Sequence, residues 1–142
     1  MEVESYPSVH QLVSTVRGRL AEGVSTVAAL RALFPAGSMT GAPKLRTMQV
    51  IDEVEETPRG VYAGAFGWLA GDGRADLGVV IRSLMTDGDG SGRRSYRLGT
   101  GGGITVRSDA AGEYAESRWK AERLLSALST ASGSATPPGA PA

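Results

Sequence analysis

The stretch Gly37-Ser38-Met39-Thr40-Gly41-Ala42-Pro43-Lys44 gathers two hydroxyls, one ammonium and a run of lightly obstructed amides just ahead of a helix start. Proline suits the first helical position, and the N–H groups exposed there carry partial positive charge. That chemistry holds a small acidic ligand, although a capped helix after a glycine loop has the same sequence and is ordinary architecture. A Walker loop is excluded by spacing, because Ala42 and Pro43 stand before Lys44. Glu113, Glu116 and Lys120 form a second constellation, separated by three and then four residues and therefore on one helix face. Two carboxylates one turn apart can approach a hard cation, directly or through its water. Glu116 with Lys120 also reads as a plain i,i+4 pair on a solvated face, whereas the i+4 neighbour of Glu113 is the uncharged Ser117.

Arg82 lies inside the apolar run Leu77 to Leu84, where an unpaired guanidinium is costly to bury, so it requires a partner or a polar ligand. An anion-binding arginine and a structural ion pair both meet that requirement. His10 is the sole histidine, which leaves no material for a catalytic triad or a histidine metal cluster. Gly101-Gly102-Gly103 offers amides free of side chains but does not complete a dinucleotide fingerprint, since the last position falls on Ile104 or Val106.

Around these groups the elements read coarsely as follows. Val9 to Val16 is extended, and Ser25 or Thr26 caps a short helix with Val27, Leu30 and Phe34 on one side. Leu45, Met48, Ile51 and Val54 recur at helical spacing from Pro43 to about Glu55. Val61 to Leu69 suits a strand packed closely on a neighbour, Gly71-Asp72-Gly73 a hairpin turn, and Leu77 to Met85 a second strand. Asp87-Gly88-Asp89-Gly90 turns again into Ser95 to Gly99, so three consecutive strands predict an antiparallel meander. A last helix runs from near Asp109 to about Leu128.

At 142 residues the chain is at most one domain, expected over 1–129, with a disordered Ser/Thr/Ala/Gly/Pro tail over 130–142. Fifteen basic residues balance fifteen acidic ones, which argues against nucleic-acid or membrane partners held by bulk charge. No cysteine is present, so disulfides and thiolate metal sites are excluded. Without an apolar signal core or a long apolar segment, the expectation is a soluble cytoplasmic protein.

The motifs together resemble the chorismate-utilising enzymes. The resemblance is carried by His10-Gln11-Leu12-Val13-Ser14, Gly37 to Lys44, Met48 to Glu53, Tyr62-Ala63-Gly64, Ile81-Arg82-Ser83, Gly101 to Ile104 and Glu113 to Lys120, in the family's order from Val9 to Leu128. Ser-x-Thr-Gly-Ala-Pro-Lys looks more like the aminodeoxychorismate synthase branch than the anthranilate synthase branch. The fold so implied is α+β: the C-terminal half of the layered chorismate-binding architecture, with antiparallel strands and packed helices.

By matched position, the resemblance makes Glu116 a direct Mg2+ ligand and Glu113 a direct or water-mediated one. Lys120 would support the ring carboxylate of chorismate. Tyr62, Arg82 and the Gly101 amide would hold the enolpyruvyl carboxylate, with Gly102, Gly103, Thr40 and Lys44 as further substrate contacts. Ser38 matches the hydroxyl beside the ring. The implied reaction, of transaminase class, replaces the ring 4-hydroxyl by ammonia drawn from a glutamine amidotransferase, toward p-aminobenzoate and folate. Gln11 stands where the family usually has His, with His10 one position early; an amide cannot act as general base near neutral pH, which suits amination that stops before pyruvate elimination. A one-residue bulge would instead bring His10 into the site. The family's N-terminal half, with its other pair of metal-binding glutamates and its nucleophilic lysine segment, has no counterpart here, so the isolated chain is expected to have little or no turnover. An anthranilate or isochorismate synthase fragment, and a non-catalytic binding remnant, are the other readings.

Overall fold

The computed structural model describes residues 1–7, 9–88 and 94–131. Strands β1 (Glu2–Tyr6) and β2 (Val9–Val13) form an antiparallel ribbon, followed by helices α1 (Thr26–Leu33), α2 (Gly37–Thr40) and α3 (Lys44–Val54). Two further ribbons follow, β3 (Ala65–Leu69) with β4 (Ala75–Val79) and β5 (Leu84–Gly88) with β6 (Arg94–Leu98), before α4 (Ala110–Ala131).

Local chemistry accounts for most boundaries. Ser25 caps α1 by accepting a hydrogen bond from the Ala28 N–H at 3.2 Å. The Lys44 ammonium donates to the Leu33 carbonyl at 2.8 Å, closing the C-terminal end of the same helix. Helix α3 begins directly after Pro43 and ends with the Glu55 N–H on the Ile51 carbonyl. The predicted Gly71-Asp72-Gly73 turn joins β3 to β4, with Arg74 held to the Asp72 carboxylate at 2.7 Å. Asp109 caps α4, its carboxylate accepting from the Gly112 N–H at 2.8 Å.

Five expectations change. Val61 to Gly64 form a turn, so the strand expected over Val61 to Leu69 begins at Ala65. The segment before Gly41 is one helical turn and not a loop. The extended N-terminal segment stops at Val13 and is half of a ribbon, because Glu2–Tyr6 pairs with it in unbroken register from Glu2↔Val13 to Tyr6↔Val9. The predicted meander is two separate ribbons, since the run Leu77 to Met85 breaks between Val79 and Leu84. Val80 pairs with the turn at Ala63 and Gly64, and Arg82 then adopts φ 50°, a left-handed conformation that ends a strand. Helix α4 continues to Ala131, past the expected end at Leu128 and into the segment expected to be a tail; residues 132–142 lie outside the described residues, as do Asp89 and Gly90 of the expected turn.

The helices expected to pack on the strands do so sparingly. Among the described residues, extensive contact between elements is confined to the strands within each ribbon and to α2 with α3. Among the described residues only small or short side chains are buried, namely Ala63, Val80, Ala121 and Thr40. In the β3–β4 ribbon, Phe66 and Trp68 share one face and are 80% and 52% exposed, while Leu69, Leu77 and Val79 share the other. A compact monomer of this mass exposes about 6,900 Å²; this chain exposes 12137 Å². No helix among the described residues is long and apolar enough to cross a membrane.

Candidate functional site

The site is assembled where the glycine strip 99–103 passes over the first turns of α4. Asp109 starts that helix and so fixes the direction of Glu113, one turn in. The Thr105 N–H donates to the Ser108 hydroxyl at 3.0 Å, and that hydroxyl donates to Glu113 Oε1 at 2.5 Å. Glu113 Oε2 is left buried and finds no hydrogen-bond partner among the described residues. Glycine at 102 is what lets it lie there, because a Cβ on that residue would stand 2.8 Å from Oε2. A buried carboxylate oxygen without a donor is costly as it stands and is suited to a cation.

Lys120 closes the other side of the strip. Its ammonium pairs with Glu116 at 2.5 Å and donates to the Gly101 carbonyl at 3.3 Å. The i,i+4 pair and the tie to the glycines therefore coexist. The Thr100 hydroxyl adds a bond to the Ser117 carbonyl at 2.7 Å, fastening the strip to α4. The cleft between them, about 410 Å³, is lined by Gly101, Gly102, Ser108, Glu113 and Ser117 among others.

Tyr62 reaches this strip from the turn before β3. Its ring packs directly on the backbone of Gly99, where any Cβ would collide with it, and its hydroxyl lies 3.3 Å from the Cβ position of Gly101. Tyr62 also lines a second cleft of about 530 Å³ with Thr40, Glu55 and Arg59. There Arg59 grips the Glu55 carboxylate through Nε and Nη2 at 2.8 and 2.5 Å and donates from Nη1 to the Met39 carbonyl at 3.1 Å. The hydrogen bond from Arg59 holds the Glu55 carboxyl below the usual carboxylate range, and the same bond raises the Arg59 guanidinium.

The structure thus brings together Tyr62, Gly101, Gly102, Glu113, Glu116 and Lys120, and places Thr40 beside the same tyrosine. Gln11, Ser38, Lys44, Arg82 and Gly103 line neither cleft, and neither do Glu116 and Lys120, which reach the strip only through the Lys120 bond to the Gly101 carbonyl. Gln11 pairs with Glu4 across the first ribbon, and the unbroken register removes the bulge that would have exchanged it with His10, which instead meets the Ser5 hydroxyl at 3.0 Å. Arg82 avoids the expected burial cost by turning out to solvent, and no partner for it is found among the described residues. The left-handed non-glycine residues among them are Arg82 and Ala63, the neighbour of Tyr62; such strain persists where surroundings impose it and clusters at functional positions. No group of three or more His, Cys, Asp or Glu is placed to hold a metal among the described residues. Glu113 and Glu116 could hold Mg2+ only with other ligands, which suits an ion that keeps several waters and takes one or two carboxylates. Sequence reasoning missed Ser108, Gly99 and Arg59; only the Glu55–Arg59 pair left a signal, its i,i+4 spacing.

Polar groups thus converge on a glycine strip above a helix start, in a chain of α+β elements. The chain belongs to the family of chorismate binding enzymes, whose model matches residues 1–126. It is 52% identical over 135 residues to an aminodeoxychorismate synthase of Streptomyces pristinaespiralis, covering 95% of this chain and 18% of that protein. It is 54% identical over 130 residues to an aminodeoxychorismate synthase of Streptomyces griseus, covering 92% and 17%. An anthranilate synthase component 1 of Haloarcula marismortui is 43% identical over 133 residues, covering 94% of this chain and 25% of its own length. The chain therefore spans between about a sixth and a quarter of the length of these relatives.

Proposed function

We propose that this chain is part of an aminodeoxychorismate synthase component I, acting in Mg2+-dependent amination of chorismate to 4-amino-4-deoxychorismate with ammonia from a glutamine amidotransferase. The observation that carries the reading is the orphaned, buried Glu113 Oε2, one turn from Glu116 and beneath a strip that also meets Lys120 and Tyr62. Two relatives above 50% identity are named for this synthase, which favours it over the anthranilate and isochorismate readings.

Glu113 and Glu116 would hold the metal, and Ser108 keeps Glu113 turned toward it. When bound, the ion supplies positive charge against the ring carboxylate of chorismate. Lys120 supports that carboxylate from the side of Gly101. The Tyr62 hydroxyl and the Gly101 amide hold the enolpyruvyl carboxylate, with Thr40 as a further substrate contact. Arg82, Lys44, Ser38 and Gln11 line neither cleft in the isolated chain. Their roles wait on the segment that completes the site: Arg82 at the enolpyruvyl carboxylate, Lys44 at the substrate and Ser38 beside the ring. Gln11, which does not remove a proton near neutral pH, then leaves the enolpyruvyl group in place when the 4-hydroxyl leaves as water and the C4–N bond forms.

Apolar side chains stand exposed on both faces of the β3–β4 ribbon, Phe66 and Trp68 on one and Leu69, Leu77 and Val79 on the other, which resembles a core cut in half. We therefore infer that the isolated chain has little or no turnover and that a further polypeptide segment completes the site. The test is a chimera in which this chain replaces the matched segment of the Streptomyces griseus synthase, assayed with chorismate, Mg2+ and ammonia. Formation of 4-amino-4-deoxychorismate without pyruvate release, lost in Arg82→Ala, is expected. Pyruvate release with an aromatic product assigns the chain to the anthranilate type, and absence of chorismate binding by the chimera overturns the reading.

A further inference from the structure

Arg59 belongs to none of the groups so far assigned to chorismate, yet it touches three parts of the site at once. Its guanidinium grips the Glu55 carboxylate at the end of α3 with two bonds. A third N–H donates to the Met39 carbonyl, in the peptide chain between Ser38 and Thr40 and 20 residues away in sequence. Its own carbonyl accepts from the Tyr62 N–H at 3.1 Å, within the turn that presents the tyrosine ring to Gly99. The side chain is 26% exposed and lines the cleft that Thr40 and Tyr62 share.

We propose that Arg59 is a positioning residue that sets the Ser38–Thr40 segment against the Tyr62 turn, with Glu55 as the anchor that orients its guanidinium. The planar fork is essential to this geometry, because two N–H groups face a carboxylate while a third faces a carbonyl in another direction. Lysine offers one ammonium and cannot span both acceptors in the same way. Helix α2, which carries Ser38 and Thr40, is a single turn and has no side-chain cap of its own, so this external tether limits how it can shift. Functional consequences for chorismate rest on the proposed synthase reading; the tether itself does not.

Hydrogen exchange on the full chain tests the tether directly. In Arg59→Gln, amides of both 37–41 and 61–64 are expected to exchange about fivefold or more faster, with α1 and the C-terminal part of α4 unchanged. Acceleration confined to residues 52–60 would mean a local ion pair only and would overturn the proposal. In the chimera, Arg59→Gln is expected to raise the KM for chorismate about tenfold through misplaced contacts, and Arg59→Lys to recover part of that loss. The exchanged pair Glu55→Arg with Arg59→Glu restores opposite charges but removes the donor at position 59, and is expected to keep the raised KM. Recovery of the original KM by that pair, or a KM within about twofold of the unmutated chimera in Arg59→Gln, would overturn the positioning role. A chimera that binds no chorismate defeats the synthase reading alone, since exchange on the chain still decides the tether.

Discussion

Replacing Glu113 by Gln separates the cost of the site from its use. Glu113 Oε2 is buried without a donor, while Oε1 is fixed by Ser108. Leaving a buried polar atom unsatisfied costs about 1–3 kcal/mol, so neutralising this carboxyl is expected to return about 1 kcal/mol to the metal-free chain. Amides in the first turns of α4 and in the strip 99–105 should then exchange about fivefold more slowly in Glu113→Gln than in the unmutated chain, in the absence of divalent cation. Addition of 10 mM Mg2+ reverses the order. If the carboxylate pair binds the ion with Kd of about 1 mM, linkage contributes about 1.4 kcal/mol, or about tenfold slower exchange in the unmutated chain. The variant, having lost the charged ligand, should gain nothing. Hydrogen exchange read by mass spectrometry measures both effects without requiring a single cooperative melt. Faster exchange in the metal-free variant would show that the orphaned oxygen carries no cost, and full Mg2+ protection in the variant would show that Glu113 is not the ligand.

Gly99→Ala places a methyl group into the Tyr62 ring, and is expected to cost about 1–3 kcal/mol locally, read as faster exchange at 61–64 and, in the chimera, as weaker chorismate binding by calorimetry. Glu55 is held below its usual range by Arg59, so its contribution is present above the unfolded value near about pH 4.3 and is lost as pH falls through the lower folded value. Exchange at 37–41, corrected for its intrinsic pH dependence, should therefore accelerate as pH is lowered through that window and stay flat from pH 5 to 7. Ser25→Ala removes the α1 cap and should destabilise that helix by about 1 kcal/mol, visible as exchange confined to its first turn.

Features governed by neighbours in sequence were legible. The Ser25 cap, the helical period from Leu45 to Val54, the glycine turn after Leu69 and the carboxylate spacing on α4 each needed only a few adjacent residues to be read. The β1 strand was not legible, because Glu2–Tyr6 alternates weakly and its pairing with β2 depends on register. Nor was the break after Val79: the apolar run continues, and only the turn of Arg82 toward solvent ends it. Assignments within the site divided in the same way. Glu113, Glu116 and Lys120 were placed by helix geometry, whereas the acceptor of Arg59 is a backbone carbonyl on another element and leaves no mark in residue types. Tyr62 was found through its motif, but its packing on Gly99 required the two segments to be seen together.

The β3–β4 ribbon has apolar side chains on both faces and, among the described residues, no third strand, which has a kinetic consequence. Every described strand pairs with its neighbour in sequence, so each closure is short and proceeds in about 1–10 μs. An isolated two-stranded ribbon is only marginally stable, so it opens nearly as readily as it closes. Assembly of this chain is then a rapid pre-equilibrium of hairpins followed by capture, and the capturing surface is whatever layer settles over Phe66 and Trp68. When that layer is tethered on the same polypeptide, the captured fraction is independent of protein concentration; when it arrives on a separate chain, the rate rises in proportion to its concentration.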